Sequence, residues 1–256
     1  MKLNSEFKLF DGNMFVQMRA LLADTVSPVG LDRLDMSIGE PQIAPGSLLM
    51  DSMQRHNDAW QFYPKATGHP RFTSAIDRYI ARRWPVAAGM IDLNRQMLPV
   101  PGTREPLGLL GGLVRGTKQN PTALVTNPFY HAWRAGALAA GAQIVYMNAG
   151  FDTGFLPDLS ALRESDLCRA TIAYLCTPTN PQGVCMSIDE IKTAIKLARK
   201  HDFLLVMDEC YGDIWRGSLP PGSIEAAAEL HKEDGSAVDI DPLRNVVVLN
   251  SLSKRS

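Results

Sequence analysis

Three polar side chains stand where apolar, strand-like runs of this sequence stop. Lys254, in Ser251-Leu252-Ser253-Lys254-Arg255-Ser256, comes just after Asn245-Val246-Val247-Val248-Leu249-Asn250. Asp208, in Asp208-Glu209-Cys210-Tyr211, follows Phe203-Leu204-Leu205-Val206-Met207, and Asn180, in Asn180-Pro181-Gln182-Gly183, follows Ala170-Thr171-Ile172-Ala173-Tyr174-Leu175. An amine, a carboxylate and a carboxamide so placed are equipment for holding a pyridine aldehyde. The lysine would form a Schiff base, the aspartate would face the ring nitrogen and the asparagine the ring hydroxyl.

Two further strand ends carry useful groups. Pro101-Gly102-Thr103-Arg104-Glu105-Pro106 is a Gly-Thr turn opening a helix, and its backbone N–H groups and helix dipole favour an anion such as a phosphate. Asn127-Pro128-Phe129-Tyr130 puts an aromatic ring where it could stack on a flat ligand. Each feature has a plainer alternative. The Gly-Thr segment could be an ordinary turn, Tyr130 a rim aromatic, and Asp208 a helix cap or half of an ion pair. Lys254 could be solvated, and the Ser251 and Ser253 hydroxyls could simply end a strand rather than bind phosphate. The order, spacing and shared placement at strand ends carry the argument.

These ends must be positioned by alternating elements. Strands are expected at Gln96–Val100, Thr122–Thr126, Gln143–Met147, Ala170–Cys176, Phe203–Met207 and Asn245–Asn250, with helices at 104–117, 131–140, 187–200 and 223–233. Earlier helices are expected at 14–24, 47–57 and 70–83. In the last of these Phe72, Ile76, Tyr79 and Ile80 share a face, and Arg78, Arg82 and Arg83 point away. Ser187-Ile188-Asp189-Glu190 is a capping box, and the helix it starts has Ile191, Ile195 and Ala198 inside and Lys192, Lys196 and Lys200 outside. Such alternation implies an α/β fold with a mostly parallel sheet covered by helices on both faces, with ligands collecting beyond the carboxyl ends of the strands.

Composition narrows the function classes. The chain of 256 residues is 45% hydrophobic and has a net charge of −1, so no electrostatic footprint for nucleic acid or an acidic membrane stands out and a small-molecule ligand is expected. Cys168, Cys176, Cys185 and Cys210 form no C-x-x-C pair or zinc spacing, and the histidines are scattered, so no metal is expected. Reduced thiols and an N-terminus without an apolar core point to the cytoplasm.

With these motifs in place, the chain resembles the fold-type I pyridoxal 5'-phosphate (PLP) aminotransferases of class I/II along essentially its whole length. Asn180-Pro181-x-Gly183 matches the family's N-P-x-G, with Gln182 where Thr is commoner; Asp208-x-x-Tyr211 matches D-x-x-Y, and Ser251-x-Ser253-Lys254 matches S-x-S/A-K. The resemblance implies catalytic roles for Lys254, Asp208 and Tyr211. Lys254 would be the Schiff-base lysine and proton carrier, Asp208 would keep the pyridine nitrogen protonated, and Asn180 and Tyr211 would bond the ring oxygen. Tyr130 would stack on the ring. Gly102, Thr103, Arg104, Ser251 and Ser253 would line the phosphate end. Tyr63 would reach the phosphate held by a second copy, which implies a homodimer.

More narrowly, Leu34-Asp35-Met36-Ser37-Ile38-Gly39-Glu40-Pro41, Gly102-Thr103-Arg104-Glu105 and Ser251–Ser256 are similar to the bacterial succinyldiaminopimelate aminotransferases. These exchange an amino group between glutamate/2-oxoglutarate and N-succinyl-2-amino-6-ketopimelate in lysine biosynthesis. Ile38, Gly39 and Asn180 would then lie at the substrate. Another class I/II aminotransferase or a β-lyase of the same fold is the alternative. The resemblance also implies an N-terminal segment, 1–45, belonging to a small domain, and an incomplete PLP-binding large domain, 46–256. The family continues well past its lysine, so a partial sequence or an inactive truncated product is expected.

Overall fold

The computed structural model describes residues 14–254 apart from 33, 42, 43, 45 and 236–240. The chain divides into two compact units, one reaching Ile43 and the other running from Ala44 onward. In the first, α1 spans Met14–Leu21, and the Asp35 carboxylate accepts from the Ser37 amide and hydroxyl.

The second unit begins with helices α2 (Ser47–Arg55), α3 (Pro70–Arg83), α4 (Leu93–Gln96) and α5 (Arg104–Leu113). There follow β1 (Thr122–Asn127), α6 (His131–Ala139), β2 (Gln143–Asn148), α7 (Glu164–Arg169), β3 (Ala170–Cys176), α8 (Ile188–His201), β4 (Leu204–Asp208), α9 (Ser223–Glu233) and β5 (Val246–Leu249). The five strands pair in the order β2-β1-β3-β4-β5, every pair parallel. Strand order reverses between β1 and β3, and in open parallel sheets that point opens a crevice beyond the carboxyl ends.

Alternate side chains of the central strands feed two cores. On one face Leu124, Leu175, Leu205 and Met207 pack with Ile191, Ile195 and Ala226 from α8 and α9. On the other, Val125, Ile172, Tyr174 and Val206 pack with Leu107 of α5 and Trp133 of α6. Tyr174 stacks on Trp133 at 6.3 Å, and its hydroxyl donates to the Leu107 carbonyl at 2.9 Å. That close approach requires glycine at 136, because a Cβ there would strike the Tyr174 hydroxyl and the Leu107 carbonyl.

The capping box of α8 forms as its sequence implies. The Ser187 hydroxyl accepts from the Glu190 amide at 3.3 Å, and the Glu190 carboxylate accepts from the Ser187 amide at 2.7 Å.

Four expectations are corrected. Gln96–Val100 is not a strand: Gln96 ends α4 and residues 97–100 run without a sheet partner. Apolar residues alone do not make a strand when no neighbour offers a ladder. The helix expected over 104–117 stops at Leu113, and Gly116 takes φ +79°. Arg83 turns inward, donating to the Pro220 carbonyl at 2.7 Å and lying 3.6 Å from the Asp213 carboxylate. Lys192 is drawn against α9 by Glu229 at 2.7 Å and Glu233 at 2.6 Å. In both cases a long aliphatic stem lies along the protein while the charged head finds a partner.

Candidate active site

The carboxyl ends of β3, β4 and β5 bring together Asn180, Asp208, Tyr211 and Lys254. The Asn180 carboxamide donates to the Tyr211 hydroxyl at 3.1 Å. The Lys254 ammonium lies 5.9 Å from the centre of the Tyr211 ring, a cation–π distance. Tyr211 is half-buried, and desolvation pushes its hydroxyl up to about 12, so it stays protonated and able to donate.

Asp208 is the most constrained member. It ends a strand whose three preceding residues are buried, and is itself 5% exposed. Its carboxylate accepts from the Cys210 amide at 3.4 Å, a long and weak contact. The Cys210 thiol also approaches it, and burial pushes the Asp208 carboxyl above the usual carboxylate range. The indole N–H of Trp133 draws that pKa back down from the α6 side without making a hydrogen bond of good geometry. A buried carboxylate held by neutral donors is short of one cation.

The candidate anion-binding end is assembled from more exposed groups. Gly102 takes φ +101°, a conformation that glycine tolerates and which turns the chain into α5. Thr103 precedes the helix without using its hydroxyl as a cap. The Arg104 guanidinium donates to the Tyr130 hydroxyl at 3.0 Å, which ties the α5 turn to the β1 end. Tyr130 packs against His131 at 4.3 Å and edge-on to Trp133 at 6.5 Å. The Ser251 and Ser253 hydroxyls lie 2.7 Å apart. Tyr63, in the same unit, is 97% exposed. Ile38 and Gly39 belong to the other unit, where Ile38 is half exposed.

Two residues at this site escaped the sequence reading. Trp133 is signalled only by its helical spacing after Tyr130. Glu209, adjacent to Asp208, points to the opposite side of the strand end, where its carboxylate accepts from the Ser223 amide at 2.6 Å at the start of α9. Burial raises the Glu209 carboxyl to about 7, opposed by Ser223 and by the Arg83 charge. Because the folded value lies above the ordinary 4.5, the folded chain holds this proton more tightly than the unfolded chain does. That stabilisation is complete below about pH 4.5 and is lost as pH rises through about 7. Asp208 acts with the same sign. Asp166, lowered by Arg163 and Arg169, acts oppositely but only below its ordinary 3.8, and His131, lowered chiefly by burial, offsets part of the fall below its ordinary 6.5. Stability to urea is therefore expected to fall between pH 5 and pH 8 by up to ~3 kcal/mol. Glu209→Gln, which keeps an acceptor for Ser223, should flatten most of that slope. Stability that holds constant or rises over this interval would contradict the assignment.

Comparison with known proteins identifies the family. The family described as aminotransferase class I and II matches residues 32–256. An LL-diaminopimelate aminotransferase from Dehalococcoides mccartyi is 27% identical over 229 residues, covering 88% of this chain and 58% of that protein. Aminotransferase AspB from Helicobacter pylori superposes with a TM-score of 0.82 at 31% identity, covering 100% of this chain and 62% of the other. A probable N-succinyldiaminopimelate aminotransferase from Thermus thermophilus gives a TM-score of 0.69 at 25% identity, over 86% of this chain and 55% of its own. The chain thus spans less than two thirds of the length of these relatives.

Aminotransferases of this class depend on PLP, and the residues present fit that group. The under-paired Asp208 suits a protonated pyridine nitrogen, the Asn180–Tyr211 pair suits a ring oxygen, and Arg104 with nearby hydroxyls suits a phosphate. A family match across most of the chain, a shared fold and this donor set agree: the chain belongs to the class I and II aminotransferases.

Proposed function

We infer that the protein is a PLP-dependent transaminase whose amino-group exchange takes place at the carboxyl ends of β3, β4 and β5. The observation that carries this reading is the convergence of Lys254, Asp208, Tyr211 and Asn180 from three successive strand ends. When bound, PLP supplies an electron sink for charge that develops on the substrate α-carbon.

The protein's own groups do the rest. Asp208 holds a proton on the ring nitrogen, and its dry surroundings strengthen that pairing. The Tyr211 hydroxyl and Asn180 carboxamide donate to the ring oxygen. Arg104, the Gly102-Thr103 turn and Ser251 and Ser253 fix the phosphate, and Tyr130 covers a ring face. The Lys254 amine carries a proton to and from the substrate α-carbon as general base and acid. By the family resemblance, Ile38 and Gly39 would belong to a substrate-binding loop. The exposed row Trp60, Phe62 and Tyr63, at 75%, 72% and 97% exposure, suits burial against a second copy, with Tyr63 reaching that copy's phosphate. Four free cysteines suit the cytoplasm, and among the described residues no helix is long and apolar enough to cross a membrane. The N-terminal segment to residue 45 would belong to a small domain.

For substrate, the reading is N-succinyl-2-amino-6-ketopimelate with glutamate as donor, supported by the Thermus relative and by the Gly102-Thr103-Arg104-Glu105 and Ser251–Lys254 stretches. A second reading, direct use of LL-diaminopimelate, is favoured by the Dehalococcoides relative. Half-reactions with glutamate, N-succinyl-LL-diaminopimelate and LL-diaminopimelate separate them. The succinylated donor is expected to exceed LL-diaminopimelate in kcat/KM by about tenfold or more, the scale of a recognised polar group. The reverse order would install the second reading, and release of pyruvate from a cysteine conjugate would point to a β-lyase.

A further inference from the structure

A cluster of potential metal ligands lies at the opposite end of the sheet from the active site. The carboxylate of Glu164, the thiol of Cys168 and a ring nitrogen of His201 lie within 4.8 Å of one another. Cys168 Sγ is 3.9 Å from one Glu164 oxygen, and His201 Nε2 is 3.9 Å from the other. Glu164 and Cys168 stand four residues apart on α7, one helical turn, so both face the same way. His201 is the last residue of α8. Since α7 leads into β3 and α8 precedes β4, the cluster sits at the amino ends of these strands, opposite Asp208.

The histidine supplies a second, independent observation. Its side chain is 5% exposed, and Nε2 is buried without a hydrogen-bond partner. A buried ring nitrogen left unpaired costs stability. It is aimed at two exposed groups, both metal ligands by type. Exposed acidic groups are common without a bound ion; what distinguishes this cluster is the buried imidazole nitrogen that has no hydrogen-bond partner.

We propose that Glu164, Cys168 and His201 form a binding site for Zn2+, with water in the fourth position. One sulfur, one imidazole nitrogen and one carboxylate oxygen are a donor set that borderline-soft Zn2+ accepts, whereas Mg2+ and Ca2+ prefer oxygen alone. Across a tetrahedral zinc, ligand atoms stand roughly 3.4–3.6 Å apart. The present separations need to close by up to about 1 Å, which the exposed Glu164 and Cys168 side chains can supply by small rotations. Two lysines border the site. Lys200 lies 3.9 Å from a Glu164 oxygen and is 66% exposed on its side chain, free to swing into water as a dication enters. The Lys118 ammonium donates to the His201 carbonyl, and its charge reaches Cys168, which favours the thiolate that a metal needs. Arg169 is held by Asp166 at 2.9 Å and does not compete. Zinc bound here would tie α7 to the end of α8 and stabilise the folded chain.

The test is chelator competition for Zn2+ on the full chain with its thiols reduced, with Co2+ as the optical probe. One metal per chain is expected, together with the near-ultraviolet charge-transfer band of thiolate-bound Co2+. Zn2+ should also raise the unfolding midpoint. Cys168→Ser and Glu164→Gln, both at exposed positions and therefore mild for folding, should each weaken Zn2+ by about tenfold or more. Cys168→Ser should also remove the band and the zinc-dependent rise in the midpoint, while Cys185→Ser changes neither. The proposal is overturned if the parent chain shows no stoichiometric binding, or if Cys168→Ser and Glu164→Gln bind zinc like the parent.

Discussion

Lys254→Ala is expected to lower kcat for transamination by roughly 10^4-fold or more, the scale of losing a general acid–base together with a nucleophilic amine. The ammonium lies 5.9 Å from the Tyr211 ring centre and close enough to Cys210 to oppose slightly the upward push that burial gives its thiol. It is thus directed into the same small volume as Asp208. No other side chain described at this site is an amine. Asn180 and Tyr211 can donate hydrogen bonds, but Tyr211, pushed up to about 12, cannot serve as a base near neutrality. Added methylamine should restore part of the lost rate, because a small amine can occupy the space the side chain leaves. Lys254→Arg should not be rescued, since its guanidinium fills that space and does not give up a proton. Stopped-flow half-reactions with and without methylamine check this. A Lys254→Ala chain retaining a tenth of the parent rate would remove the lysine from the chemistry.

Asp208→Asn is expected to separate activity from stability. In the folded chain the carboxylate is 5% exposed, and its donors are the Cys210 amide and thiol. A carboxylate so placed is costly until a cation meets it. Asparagine keeps the shape and an acceptor oxygen but removes the charge. Without PLP the variant should therefore unfold at or above the parent midpoint. With PLP it should bind more weakly and turn over about 10^2–10^4-fold more slowly, as expected when charge stabilisation and protonation are lost together. This opposition of stability and function is characteristic of groups kept for chemistry rather than packing. Thermal unfolding with and without PLP, alongside kcat, tests it. A less stable apo chain, or unchanged turnover, would show that Asp208 is structural.

The candidate site was legible because its residues follow buried apolar runs, which mark strands clearly in a sequence. β3 begins and ends where its apolar run does, and β1, β2, β4 and β5 differ from expectation by one residue at one or both boundaries. The Ser187–Glu190 box marked the start of α8 for the same local reason. Two of the failures turn on what lies, or does not lie, beside a segment from far along the chain. Met97–Val100 has strand-like residues but no adjacent ladder. Arg83 looked solvated on its own helix, yet its guanidinium reaches carbonyls more than a hundred residues later. Helix α7, six residues long, is too short for periodicity and is held by Asp166, buried between Arg163 and Arg169. At the site itself, Lys254, Asp208, Tyr211 and Asn180 could be found from types and spacing. Trp133 and Glu209 could not, because one arrives from a helix on one sheet face and the other is tied to α9.

The central claim is that these strand ends form a PLP pocket centred on Lys254. The most direct measurement is PLP titration of the chain, followed by borohydride reduction and peptide mass mapping. The account predicts a saturable visible absorbance at one PLP per chain, with the reduced pyridoxyl group on Lys254. A folded chain that binds no PLP, or that carries the group on Lys118, Lys192 or another lysine while Lys254 is untouched, would contradict it.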